Sequence, residues 1–190
     1  MLMLGHIIHI NLAIHIFFYK LGWRGVNIDP NPHAISLFEK HRPDDVNLNF
    51  GIGPQNTSGV YYMIDEQSSM NSFSRQHLEK LGLMKKVSSE IEIPIYTLKD
   101  VLDKYGEGIG PVDFLNIDIE GMDYEVLISN DWVKYKPAVI AIEMDGETID
   151  DILSNKAYHF LSNHDYKFVA KNYLLKNIST VFFIHKSMEV

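Results

Sequence analysis

The 190 residues include no cysteine, which excludes a disulfide framework and a thiolate metal centre and fits a cytoplasmic protein. Basic runs are missing as well: the net charge is −8, and no stretch clusters lysine and arginine. Phosphate neutralisation needs such clusters, so neither nucleic acid nor an anionic membrane surface is an expected partner. The nine histidines form no HExxH or similar ligand spacing, so no metal is expected from them. No GxGxxG is present, which weighs against a nucleotide- or NAD-binding enzyme. Repeats and low-complexity tracts are also absent. With 46% hydrophobic residues, the chain is long enough for a single domain with a full core over residues 1–190.

The most informative stretch is Pro111 to Leu127, PVDFLNIDIEGMDYEVL. Val112, Phe114, Leu115, Ile117 and Ile119 form a short apolar run that reads as a buried strand of a parallel sheet. From Met122 onward, Tyr124, Val126 and Leu127 shift to helical spacing. Asp118, Glu120 and Asp123 therefore crowd at the carboxyl end of a strand, the edge where open α/β sheets bind ligands. Either Asp118 or Glu120 could instead cap the following helix, where a negative charge is stabilising.

Met1 to Phe18 is apolar, yet it has no basic start and no small-residue cleavage site. His6, His9, Asn11 and His15 interrupt it, so it fits neither a signal peptide nor a membrane span. Val26 to Ile28 reads as a strand ending on Asp29. Pro30 and Pro32 then suit a turn and the first position of a helix. Ala34, Ile35, Leu37, Phe38 and His41 give that helix its buried stripe, and Arg42-Pro43 ends it. An acid where Asp29 stands can hydrogen-bond ribose hydroxyls; a turn-forming Asp-Pro is the plainer alternative.

Val46 to Ile52 alternates as one short strand, after which Gly51 and Gly53 allow a close approach of backbone. Gly59 to Ile64 and Glu90 to Ile95 read as strands, with a long polar loop from Asp65 leading to a helix between them. Within that loop Ser69, Asn71, Ser72 and Ser74 are either substrate-positioning groups or simply exposed. Thr97 caps a helix to about Tyr105. Ala138 to Ile142 is a buried strand reaching Glu143. Ile149 to Leu161 is helical, with Ile152, Leu153, Tyr158, Phe160 and Leu161 facing the core. Tyr166 to Ala170 and Thr180 to His185 close the chain as an antiparallel hairpin turning at Lys176-Asn177. Alternating strands and helices followed by a hairpin give a mixed α/β sheet.

The blocks GWRGVNIDPNP, RPDDVNLNFGIG, FLNIDIEGMDYEVL, PAVIAIEM and STVFFIHK, in that order, resemble the FkbM-type methyltransferases from about Phe17 onward. The resemblance implies a Rossmann-like class I methyltransferase sheet, mostly parallel with the antiparallel C-terminal hairpin. It also implies S-adenosylmethionine as cofactor and a hydroxyl of a small molecule or glycan as acceptor. By that resemblance Asp29 holds the ribose, Asn49 to Ile52 (with Gly51) lie beside the adenine, and Asp118 sits at the methionine end. Glu120 and Glu143, at neighbouring strand ends, are the candidate bases for the hydroxyl. A Mg²⁺ site of Asp118, Glu120 and Glu143 is the oxygen-ligand alternative.

One block departs from the family. Its opening strand and "DxGA"-like turn have no counterpart in Met1 to Phe18, which holds only Gly5 and no acid. A back-translation of Leu2 to Tyr19, regrouped by one base, reads VDVGAHHPYKFSNTYFF, which is similar to the family's opening. Residues 1 to about 17 are therefore expected to be an out-of-frame reading of the cofactor motif. Weak or absent cofactor binding follows, and a non-catalytic remnant is the alternative function.

Overall fold

Val26, Asn27 and Ile28 are all buried, as a strand covered on both faces must be. The computed structural model describes residues 2–5, 16–106, 110–119, 121–175 and 177–188, and shows an α/β protein with two mixed sheets. In chain order it begins with β1 (Leu2–Gly5), a helical segment at 16–20 (α1), β2 (Val26–Ile28) and α2 (Pro32–His41). Then come β3 (Val46–Leu48), β4 (Gly51–Ile52), β5 (Thr57–Met63), α3 (Arg75–Lys80), β6 (Ser89–Tyr96) and α4 (Leu98–Tyr105). The second half holds β7 (Phe114–Asp118), α5 (Asp123–Ile128), β8 (Val139–Asp145), α6 (Ile149–Ser154), α7 (Lys156–Asn163), β9 (Tyr166–Leu175) and β10 (Ile178–His185).

The larger sheet has the order β3-β2-β1-β7-β8-β10-β9. Its pairings from β3 across to β8 are parallel, and β10 runs antiparallel to both β8 and β9. The smaller sheet, β4-β6-β5, has one parallel and one antiparallel pairing. Successive strands leave β1 in one direction and β7 in the other, so the order reverses between these two, where Gly5 stands opposite Asp118. In doubly wound sheets a ligand crevice opens at such a reversal. Among the described residues, no helix is long and apolar enough to cross a membrane.

Local chemistry explains most boundaries. Asn31 accepts from the His33 N–H at 3.0 Å and Pro32 supplies the first turn of α2, so the Asp-Pro-Asn-Pro run does start a helix. Thr97 caps α4 through the Asp100 N–H at 3.1 Å. Asn177, at φ 65°, makes the turn between β9 and β10, while Lys176 lies outside the described residues.

Four expectations need correction. Val46 to Ile52 is two strands in different sheets, because the Asn49 side chain donates back to the carbonyls of Asp29 and Pro30 at 2.9 and 3.0 Å and turns the chain. Ile149 to Leu161 is two helices. Asn155, extended at ψ 140°, ends α6 and accepts from the Ala157 N–H at 2.9 Å to start α7. Ile152 and Leu161 are buried while Leu153, on the next face of α6, is exposed; His41, the last residue of α2, is exposed too. Finally, the polar loop after Asp65 is not simply exposed: Asn71 and Ser72 are buried. Asn71 accepts from the Ile64 N–H and donates to the Asp65 carbonyl, each at 2.8 Å. Ser72 pairs its backbone with Tyr62.

Candidate active site

The carboxyl ends of β2, β4, β7 and β8 converge on the turn after Asp118. Asp118 itself is half-buried at the last position of β7. The turn is held by Asp123, whose two carboxylate oxygens accept from the Ile119 N–H at 3.1 Å and the Gly121 N–H at 3.3 Å. The N-cap position of α5, Met122, carries no side-chain cap, and Asp123 at the first helical position instead braces the turn before it. Glu120 lies outside the described residues. Gly121, at φ +95°, adopts the left-handed backbone that favours glycine.

The turn separates two cavities. On one side Ile28, Pro30, Gly51, Ile52, Phe73 and Ile119 line an apolar slot. Gly51 has a structural reason to be glycine here, since a Cβ would lie 2.7 Å from the Phe73 ring. On the other side is a polar cavity of about 170 Å³, whose lining includes His77, Asp123, Glu125, Glu143 and Lys156. A single segment reaches both: Ser72 and Phe73 touch the slot, and His77 touches the cavity.

Asp29 stands just beyond β2 and is fully shielded from solvent. Its Oδ1 accepts from the Asn31 N–H at 2.7 Å, and its carbonyl accepts from Asn49. Of the predicted cofactor residues, Gly51 and Ile52 line the slot, while Asp29 and Asn49 lie next in sequence to its lining residues Pro30 and Phe50. Glu143, still inside β8, lines the polar cavity. Asp118 marks the strand end between the two.

His77 is the residue that sequence reasoning missed. It packs so closely on the turn that a Cβ on Gly121 would lie 2.8 Å from its Nδ1. Separated by more than forty positions along the chain, the two share no motif, and only the loop geometry joins them.

Around the polar cavity, cations face acids. Lys156 Nζ lies 3.1 Å from Glu125 Oε1 and 4.2 Å from the Tyr124 ring centre, and Lys80 is 3.7 Å from Asp145. These pairs are largely solvent-exposed and so add little to stability, about 0–1 kcal/mol each.

Residues 10–168 match the Methyltransferase FkbM domain. Among curated proteins, none matches the chain.

Proposed function

The chain belongs to the FkbM methyltransferase family, and on that footing we propose that it methylates a hydroxyl of a small molecule or glycan with S-adenosylmethionine as donor. The observation that carries this reading is the pair of cavities, one apolar and one polar, on either side of the turn that ends β7. Adenosine and a polar acceptor need such unlike surroundings side by side. The strand order reversing at Gly5 and Asp118 supports a Rossmann-like class I methyltransferase arrangement.

The residues at the slot fit the adenosyl half of the cofactor by chemistry. Gly51 and Ile52 flank the adenine position and Asn49 braces the turn before them; Asp29, fully shielded and outside the slot's lining, would reach the ribose hydroxyls only after the loop that covers it opens. The slot has only about 20 Å³ of free space, so a purine would enter only if its lining residues moved apart. Asp118 is assigned to the methionine end. When bound, the cofactor supplies an electrophilic methyl carbon on a sulfonium. The chain's own contribution is to orient the acceptor oxygen and exclude water, which is largely positioning. Glu143 and Glu120, placed by the sequence at neighbouring strand ends, are the candidate carboxylates to take the hydroxyl proton.

A second reading, a remnant that folds without binding cofactor, is favoured by one observation. The strand at the sheet's reversal point is Leu2–Gly5, LMLG, with no acid. Calorimetric titration of the chain with S-adenosylhomocysteine separates the two. Binding that is lost in Asp29→Ala, with the far-ultraviolet dichroism unchanged, supports the enzyme. No heat at millimolar ligand leaves the remnant.

A further inference from the structure

Among the described residues the two sheets present four edges, β3, β9, β4 and β5, and three of them are guarded. β3 and β4 are only three and two residues long. β9 is long, but it carries Lys167 and Lys171, and two bulges interrupt its ladder with β10. Short strands, lysines and bulges are the usual means by which a fold keeps an edge from recruiting another chain. β5 has none of them. Its seven residues, TSGVYYM, include no charge and no proline, and its ladder with β6 runs without a register shift.

The outward side of β5 can be assigned group by group. The Tyr62 N–H donates to the Ser72 carbonyl at 2.9 Å, and the Tyr62 carbonyl accepts from the Ser72 N–H at 3.1 Å, on the side away from β6. Orientation alternates along an antiparallel ladder, so the N–H and carbonyl of Ser58 and Val60 also point away from β6. Those of Thr57, Gly59 and Tyr61 point toward it. Pro94, directly opposite Ser58, has no N–H to give, in keeping with a non-bonded pair at that position. Ser58 and Val60 are exposed, and no described segment pairs with them on the outward side. The Ser72 bridge closes the edge at Tyr62. Asn56, just before the strand, is turned to the Thr97 N–H and to Asp100. The open stretch is therefore 57–61.

We propose that a second copy of this chain docks here, β5 against β5 in antiparallel sense with Gly59 on the two-fold axis, joining the two small sheets into one. In that register Ser58 faces the partner's Val60 and Val60 faces the partner's Ser58, both as hydrogen-bonded pairs. The stretch 57–61 matches itself end to end, with Thr57 opposite the partner's Tyr61, and it stops on each side before a Ser72 bridge. A segment of another protein has no such reason to share the length and centre of this edge. Ser58 and Val60 lie on the exposed face with Glu90 and Glu92 of β6, so the exposed faces of the two copies fall on the same side. The Glu92 carboxylates of the two copies stand three strand spacings apart, about 14 Å, beyond the screening length of about 8 Å. A pairing this short lies at the low end of interface sizes, so the dissociation constant is expected at about 10–100 µM. The strand it braces carries Tyr61, which lines the apolar slot. Docking at this edge needs no cofactor and stands apart from the methyl-transfer reading.

Sedimentation velocity of the full chain from about 1 to 500 µM should show a monomer passing to a dimer. In Val60→Lys, which puts a charge on the edge, the dissociation constant should rise at least tenfold with the far-ultraviolet dichroism unchanged. Val60→Pro, which removes only the outward N–H, should act the same way. Amide hydrogen exchange in the unmodified chain reads the edge directly. The Ser58 and Val60 amides should exchange more slowly at high concentration than at low, while Gly59 and Tyr61, bonded to β6, should not change. That measurement decides the matter even if a variant fails to fold. A monomer at the highest concentration overturns the proposal. So does a dimer whose Ser58 and Val60 amides exchange at the monomer rate, or one that forms equally well in a folded Val60→Lys.

Discussion

Arg42 and Asp45 form an ion pair in which both side chains are wholly shielded from solvent. Asp45 also accepts from the Gly25 N–H and from Asn27 Nδ2, each at 3.1 Å, and so ties the start of β2 to the start of β3. Burial lowers the pKa of the Arg42 guanidinium, and the charge and hydrogen bond of Asp45 oppose that shift.

Removing one partner leaves the other charge stranded in the interior. Asp45→Ala is therefore expected to lose about 3–5 kcal/mol, measured by urea unfolding. The double variant Arg42→Met/Asp45→Leu is expected to lose less than Asp45→Ala alone, because it strands no charge. Equal losses in the two would show that packing, not charge, governs the site.

Asp123 clasps the turn between the two cavities through two backbone N–H groups. Asp123→Ala is expected to cost about 1–3 kcal/mol, and Asp123→Asn less, since one acceptor oxygen remains. Amide hydrogen exchange at Ile119 and Gly121 should accelerate in the alanine variant and leave β9 and β10 unchanged. Uniform acceleration across the sheet would contradict a local clasp.

Burial raises the Tyr166 phenol above its ordinary value of 10.0. The unfolded chain then gives up this proton before the folded one does. Stability from this group is complete below pH 10 and declines above it, by about 1.4 kcal/mol per pH unit until the folded group ionises too. Tyr166→Phe removes the 2.7 Å hydrogen bond to the Pro137 carbonyl, so it starts lower at neutral pH by about 1 kcal/mol. It lacks this share of the alkaline decline, so the gap between wild type and variant should narrow above pH 10. Tyr19 and Tyr135, also raised, are present in both proteins and cancel.

Residues 1 to about 17 carry the next expectation. A variant with VDVGAHHPYKFSNTYFF in their place should bind S-adenosylhomocysteine at least tenfold more tightly than the sequence as it stands. That gain corresponds to about 1.4 kcal/mol, the scale of one or two recovered hydrogen bonds. Equal affinity in a calorimetric comparison would remove the frame-shift explanation for the unusual first segment.

Much of the fold was legible because burial imposes a period. Ile140 to Ile142 is covered on both faces and appears in the sequence as an unbroken apolar run, and Leu115 and Ile117 flank a single buried polar residue, Asn116. Helix starts were legible where a side chain announces them, as at Asn31-Pro32 and Thr97. The breaks at Asn49 and Asn155 were not, because apolar residues continue across both while a side-chain hydrogen bond turns the chain. Asp29 and Asp118 could be placed at strand ends from the strands themselves, whereas Glu143 could not, because β8 continues beyond it to Asp145. His77 could not, since its neighbour Gly121 is set by how a long polar loop folds back, and that depends on Asn71 and Ser72 being buried.

In the larger sheet β9 has one strand neighbour, β10, which in turn lies against β8. On the ribosome β9 therefore emerges while the edge of β8 is still open and its proper neighbour has yet to be made. Pairing β9 directly with β8 is the competing outcome, and it would have to be undone before β10 could enter. Formation of the β9–β10 hairpin ahead of docking avoids that detour, because local pairing is faster than closure across the sheet. The tight turn at Asn177 is then a kinetic safeguard as much as a connection: slowing it should raise the yield of misassembled chains without altering the finished protein.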